Sequence, residues 1–240
     1  MTYVLVHGAT FAASCWDLLV PHLDQETIAV DLPGRGSRPA DLGAVTIQHF
    51  VDAVVAEIED RDLHDVVLVG HSLAGITLPG VMDRVPHRLA RVVFVAASVP
   101  EHGQSIMEAL DAATREVAEA SASSGEIATP VDWARAVFCN DMDDDAASWT
   151  LAHMGGEASG VMNEPVDLSG LRRGVPRTWV RLLRDAVVSP EQQSFYASRV
   201  GAEVVDLDAG HMAMISRPVA LAEVLRSLHS DAMSSTPPIS

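Results

Sequence analysis

Ser72 stands at the apex of Gly70-His71-Ser72-Leu73-Ala74-Gly75, directly after the apolar run Val66-Val67-Leu68-Val69. Residues 76–84 then read as a helix. A strand that ends in a small-residue turn and passes into a helix has the form of a nucleophile elbow. Such a turn strains the serine backbone and lifts its hydroxyl clear of the sheet. Gly70 and Ala74, two residues before and two after, keep the crowded backbones apart. The start of the helix aims N–H groups at any negative charge developing on a bound carbonyl. The chemistry implied is nucleophilic attack by a serine.

A serine hydroxyl is a poor nucleophile near neutral pH. It needs a base at hydrogen-bond distance, and the base needs an orienting carboxylate. In the order serine, acid, histidine, both partners lie downstream, on loops after late strands. Among ten histidines, His211 in Asp208-Ala209-Gly210-His211-Met212 follows the last strand on a Gly-led loop and is the candidate base. His22, His49, His64, His87 and His229 lie on helices or their ends and read as solvent-facing. The acid is to be chosen among Asp185, Asp206 and Asp208. Asp185 lies on the loop after the preceding strand, whereas Asp206 and Asp208 are too near His211 along the chain to orient it comfortably; Asp185 is therefore preferred. The oxyanion donors expected are the backbone N–H groups of Leu73 and of Ala9, with Thr10 the alternative to Ala9. His7 either shapes that loop, the preferred reading, or touches substrate.

The elements that must position these groups follow from periodicity. Residues 3–6, 27–30, 66–69 and 91–96 are apolar on both faces and alternate with helical stretches at 12–23 and 47–58, the latter with Thr46 as N-cap. That is the signature of a parallel sheet covered on both sides. Right-handed crossovers bring the loops at His7, Asp31 and Ser72 to one sheet edge, where open α/β sheets place their sites. Residues 101–173 break the alternation: helical stretches at 106–120 and 131–139, no convincing strand, and an acidic cluster at 141–145 read as a solvated turn rather than a calcium loop. The pattern then resumes, with strands at 178–183 and 203–207 and helices at 190–199 and 218–228. The expected architecture is α/β, a doubly wound, mostly parallel sheet formed by 1–100 and 174–229, with a small helical cap inserted at 101–173 and a disordered tail at 230–240.

The composition is globular, 48% hydrophobic and 20% charged over 240 residues. A formal net charge of −17 argues against nucleic acid and anionic membrane as partners. No apolar run approaches the roughly 18 residues a membrane helix needs. No basic segment leads into an apolar one at the start of the chain, so the cytoplasm is the expected location. Cys15 and Cys139 match no metal spacing and read as free thiols; neither a metal nor a cofactor is expected.

Taken together, Val4-Leu5-Val6-His7-Gly8-Ala9, Cys15-Trp16, Asp31-Leu32-Pro33-Gly34-Arg35-Gly36, Gly70-His71-Ser72-Leu73-Ala74-Gly75, Phe94-Val95-Ala96-Ala97 and Gly210-His211-Met212-Ala213-Met214 resemble the α/β-hydrolase superfamily over nearly the whole chain. They are most similar to the small-cap group of plant methylesterases and hydroxynitrile lyases, with bacterial esterase-like relatives. The resemblance implies Ser72 as nucleophile, Asp185 as acid and His211 as base. The departures matter too. Ala74 stands where the group often has a second glycine. The lyases carry a lysine where this chain has Met212 and a threonine where it has Gly8, which removes the electrostatic support for cyanide elimination. Dehalogenases of this fold use an aspartate nucleophile, so Ser72 argues against that activity.

The expected activity is hydrolysis of a small carboxylic ester or lactone through an acyl-enzyme, the substrate bearing an apolar or aromatic group. Thr10, Trp133, Trp149, His153 and Met212 are candidate pocket residues. Phe138, Met154 and Met162 are further candidates for its wall, although such apolar side chains equally serve to glue a cap to a core. Two alternatives share the fold: a slow-turnover ligand receptor, which would show single-turnover acylation, and a biosynthetic cyclase or lyase, which would form product without added water. Oligomeric state is not encoded in these patterns.

Overall fold

The structure, a computed structural model, describes residues 1–123 and 125–234, with side chains through Leu228. Strands β1 (Thr2–Val6), β2 (Glu26–Val30), β3 (Val66–His71) and β4 (Leu89–Val95) are the first four strands of the main sheet. Helix α1 (Ile47–Asp60) follows β2, and α2 (Leu78–Arg84) follows β3. Thr46 caps α1 in a reciprocal capping box with His49, as its position before an apolar-periodic stretch implies.

Between β4 and the next core strand lie α3 (Ile106–Ala109), α4 (Ala112–Ala120), β5 (Ala122–Ser123), β6 (Glu126–Ile127), α5 (Val131–Phe138), α6 (Asp144–Ala152), β7 (Glu157–Ala158) and α7 (Ser159–Asn163). The core resumes with β8 (Arg177–Leu182), α8 (Pro190–Val200), β9 (Glu203–Leu207), the short α9 (Ala213–Ser216) and α10 (Pro218–Ser234).

The core strands form one six-stranded sheet in the order β2-β1-β3-β4-β8-β9, every neighbouring pair parallel. Side chains alternate across it. Val4, Val6, Leu68 and Phe94 pack on one face with residues of α1, α2 and α8; Tyr3, Leu5, Val69 and Val95 pack on the other with Trp16 and with Leu221 and Leu225 of α10. The strand order reverses between β1 and β3: from β1 the chain moves outward to β2, and from β3 it moves the other way. Connections leaving these two neighbours diverge, and a crevice opens at their carboxyl ends. Ala9 follows β1 and Ser72 follows β3, so the two groups face each other across that crevice.

Four expectations need correction. Residues 12–23 form not one helix but two 3₁₀ turns, Ala13–Trp16 and Val20–His22; Pro21, which has no N–H and would clash inside a longer α-helix, lies in the second. The stretch 106–120 breaks at Leu110, where Asp111 turns to cap α4 through Ala113 and Thr114 N–H. The inserted segment does contain strands: β5, β6 and β7 form a small antiparallel sheet, each too short to show a period of two. Finally, α10 runs on through Ser234 instead of ending at 228; the rest of the expected tail lies outside the described residues. Among the described residues no helix is long and apolar enough to cross a membrane. Cys15 and Cys139 are both buried and free.

Candidate active site

Ser72 has φ +51°, the left-handed region that an L-residue adopts only under constraint. Close packing enforces it. A Cβ on Gly70 would lie 2.7 Å from the Leu78 side chain, and one on Gly75 would run into the Ser98 carbonyl oxygen. The Ser72 carbonyl accepts the Ser98 N–H at 2.8 Å, tying the turn to the end of β4. Ala74 is fully packed at the position where a second glycine was the alternative. Helix α2 does not begin at once: a 3₁₀ turn, Ser72–Ile76, comes first.

The Ser72 hydroxyl oxygen lies 3.0 Å from His211 Nε2, and His211 Nδ1 lies 2.8 Å from Asp185 Oδ2. With the proton on Nδ1, the ring donates to Asp185 and accepts from the serine hydroxyl, which satisfies both contacts. The Asp185 carboxylate is itself held: its Oδ1 accepts Val187 N–H at 2.7 Å and Val188 N–H at 3.0 Å. Both members of the pair are buried, His211 to 1% exposure and the Asp185 side chain completely. The competing carboxylates are engaged elsewhere. Asp206 binds Arg181 at 2.7 Å and Asp208 binds Arg184 at 2.7 Å.

Further neighbours set the ring plane of His211. Phe138 stacks on it at 5.6 Å, and the His71 ring lies 4.6 Å away. His71 Nε2–H donates to the His211 carbonyl at 2.9 Å. Burial, then the neighbouring His211 ring, hold the His71 pKa well below the ordinary histidine value, so His71 is a neutral donor.

On the opposite side of the crevice, His7 joins two loops. Its Nδ1–H donates to the Gly8 carbonyl at 2.8 Å, while Nε2 accepts Leu32 N–H at 3.1 Å. Burial lowers its pKa to about 4. A residue engaged at both nitrogens shapes the loop. Thr10 has φ +65°, its N–H donates to Glu157 Oε2 at 3.0 Å, and its carbonyl accepts Gly155 N–H at 2.7 Å. Glu157 also forms a buried ion pair with Arg35 at 2.8 Å. Thr10 N–H is thus committed to a carboxylate, while Ala9 and Leu73 both line the cavity. The Thr10 hydroxyl is buried without a hydrogen-bond partner among the described residues.

Above Ser72 opens a cavity of about 140 Å³. The core supplies its floor through Ala9, Thr10, Leu73, His211 and Met212. The inserted segment supplies an apolar wall, including Ile106, Leu110, Val117, Trp133, Phe138 and Met162. Of the candidate pocket residues, Thr10, Trp133 and Met212 line the cavity, whereas Trp149 and His153 do not. Helix α6 turns Ala147 and Thr150 toward the core, which carries Trp149 off to the side. There His153, exposed, stacks on Trp149 at 3.9 Å and binds its carbonyl. Met154 is likewise absent from the lining.

Spacing along the chain left several residues around the site unmarked: Ser98, Arg35, Glu157 and Asp141. Asp141 also corrects the reading of 141–145 as a solvated turn, because its side chain is 1% exposed. Asp143 caps α6 through Ala146 N–H, and only Asp143 to Asp145 face solvent. Nothing in the local sequence separates Asp141 from its acidic neighbours.

Fold and site together define a hydrolase of the doubly wound α/β type. The family model described as "Alpha/beta hydrolase family" matches residues 3–224, and the chain belongs to that family. It is 30% identical to the carbendazim hydrolyzing esterase of Nocardioides sp. (strain SG-4G), across 94% of this chain and 98% of that protein. It is 27% identical to the putative chloroplastic methylesterase 14 of Arabidopsis thaliana, across 93% of this chain and 70% of that protein. Among solved structures it is similar to an extracellular α/β-hydrolase from a Paenibacillus species, with a TM-score of 0.87 and 25% identity, covering 95% of this chain and 98% of the other.

Proposed function

We propose that this protein is a carboxylic ester hydrolase in which Ser72 is the nucleophile, His211 the base and Asp185 the orienting acid. The observation that carries the reading is the unbroken chain Ser72–His211–Asp185, with contacts of 3.0 and 2.8 Å, at the floor of a cavity. Relatives named as esterases and methylesterases support ester hydrolysis as the reaction.

Ser72 Oγ attacks the ester carbonyl as His211 Nε2 takes its proton. The carbonyl π-electrons move to oxygen, and the oxyanion is bound by Leu73 and Ala9 N–H. Collapse expels the alkoxide, protonated by His211. Water, deprotonated by the same nitrogen, then releases the carboxylic acid and restores Ser72. Asp185 stays ionised and stabilises the imidazolium formed in each half.

The inserted segment acts as the cap, and its apolar wall suits substrates with an apolar or aromatic group. Among the described residues no lysine or arginine lines the cavity, so these offer a free carboxylate no direct counter-charge. Met212 puts an apolar side chain where a cation would be needed to hold cyanide. A cytoplasmic location is part of the same proposal and rests on the free thiols.

Ser72→Ala, assayed with short-chain and aryl p-nitrophenyl esters, tests the assignment. Turnover should fall by about a thousandfold or more with melting unchanged, and fluorophosphonate labelling should disappear. Wild-type turnover in the variant would overturn it. Single-turnover acylation of the wild type would favour the receptor alternative instead.

A further inference from the structure

Asp141 is a buried carboxylate that the acyl-transfer steps do not use. It lies between α5 and α6, outside the core sheet, and reaches the core at the loop that carries His211. Its Oδ2 accepts Gly210 N–H at 2.8 Å and the Ser216 hydroxyl at 2.9 Å. The first bond grips the residue immediately before His211; the second grips α9, just beyond it.

The neighbouring residue does the same for the acid. Asn140 Nδ2–H donates to the Arg184 carbonyl at 2.7 Å, the residue immediately before Asp185. The Arg184 guanidinium approaches Asp141 Oδ2 to 3.9 Å while bound to Asp208. Two residues earlier, Phe138 stacks on the His211 ring. Gly210 is what permits this approach: a Cβ there would lie 2.5 Å from both Asn140 Oδ1 and Asp141 Oδ1.

We infer that Asn140 and Asp141 are positioning residues that clamp the base loop and the acid loop together, so that the cap sets the His211–Asp185 geometry as well as the pocket wall. The two catalytic loops follow different strands, β9 and β8; Arg184 N–H bonds the Ala209 carbonyl at 2.9 Å between them, and the tips beyond that bond, at Asp185 and Gly210, keep freedom to shift against each other. A single strap that binds the residue preceding each catalytic side chain removes that freedom. Both bonds are made to backbone groups, so they fix the loops without entering the cavity. A shift of about 1 Å in a catalytic group typically costs up to a hundredfold in rate, so a clamp of this kind is read in kcat.

This inference rests on the proposed triad, and the test separates the two. Steady-state kinetics on a p-nitrophenyl ester should show kcat lowered by about tenfold to a hundredfold in Asp141→Ala, with KM close to wild type. Asp141→Asn keeps an acceptor oxygen for Gly210 N–H and should recover most of that loss. Should Asp141→Ala fail to fold, Asn140→Ala, a change at an exposed side chain, carries the same expectation at smaller size. The rate of fluorophosphonate labelling of Ser72 should fall in parallel with kcat. An unchanged kcat in Asp141→Ala, a raised KM at full kcat, or an Asn variant as impaired as the Ala variant would overturn the clamp. With Ser72→Ala inactive, those results would leave the triad standing; an active Ser72→Ala would remove the triad itself.

Discussion

Ser72 and His211 meet at 3.0 Å, yet the two are held in opposite ways. The serine is fixed by its own turn: a left-handed backbone, with Gly70 and Gly75 packed where no side chain fits. The histidine sits on a loop whose local sequence prescribes little. It is fixed by Asp185, His71, Phe138 and, through Gly210, Asp141, residues that come from three separate stretches of the chain. The difference is between strain stored in a local turn and order borrowed from tertiary neighbours. The first kind leans on few residues elsewhere in the molecule; the second is exposed to each of its neighbours.

Removing the nearest borrowed constraint should break the base side hardest. Asp185→Ala should lower kcat by about 10³- to 10⁴-fold, with melting showing the chain still folded. A near-normal kcat would mean that orientation of His211 comes from the other neighbours alone.

Across the crevice from Ser72, the loop after β1 has a pH-dependent support in His7. Its folded pKa of about 4 lies below the ordinary 6.5, so the unfolded chain binds more protons between those values. Its contribution to stability is therefore complete above pH 6.5 and is lost as pH falls toward 4. The size is about 3 kcal/mol. Urea unfolding between pH 7 and pH 4 checks this, and His7→Gln should flatten that part of the curve.

Gly8→Ala attacks the serine from across the crevice. The new Cβ would lie 2.8 Å from Ser72 Cβ and 3.0 Å from His71 Nδ1. Displacing Ser72 should reduce kcat by about tenfold to a hundredfold, visible as slower fluorophosphonate labelling. The smallest effect belongs to the cap's outer side. Trp149→Ala and His153→Ala should leave KM within about twofold, whereas Trp133→Ala, inside the cavity, should raise it by more. Equal effects would mean that the outer stack reaches the pocket.

Much of this molecule is legible in the chain because its core signals are local and strong. Buried parallel strands are continuous apolar runs, and Val66 to Val69 ends where Gly70 begins, so the elbow can be read directly. Chain order then narrows the acid and base to Asp185 and His211, since each follows a late strand. The inserted segment is less legible. Its strands are two residues long, its helices are interrupted, and its apolar residues divide between the cavity and the outer surface. Trp133 and Trp149 are the same residue type on neighbouring helices, and only the rotation of α6 sends one of them away from the cavity.

The sequence by itself determined the alternation that makes a parallel sheet and the strained serine turn, because each depends on residues close together along the chain, and it set the order Ser72, Asp185, His211. Only the tertiary structure decided that Glu157 takes the Thr10 N–H, and that Asp141 is buried among exposed acidic neighbours. The physical reason is the same in both cases. A buried carboxylate is tolerated where donors converge on it, and the donors here, Thr10 N–H and Gly210 N–H, come from parts of the chain that only the fold brings near.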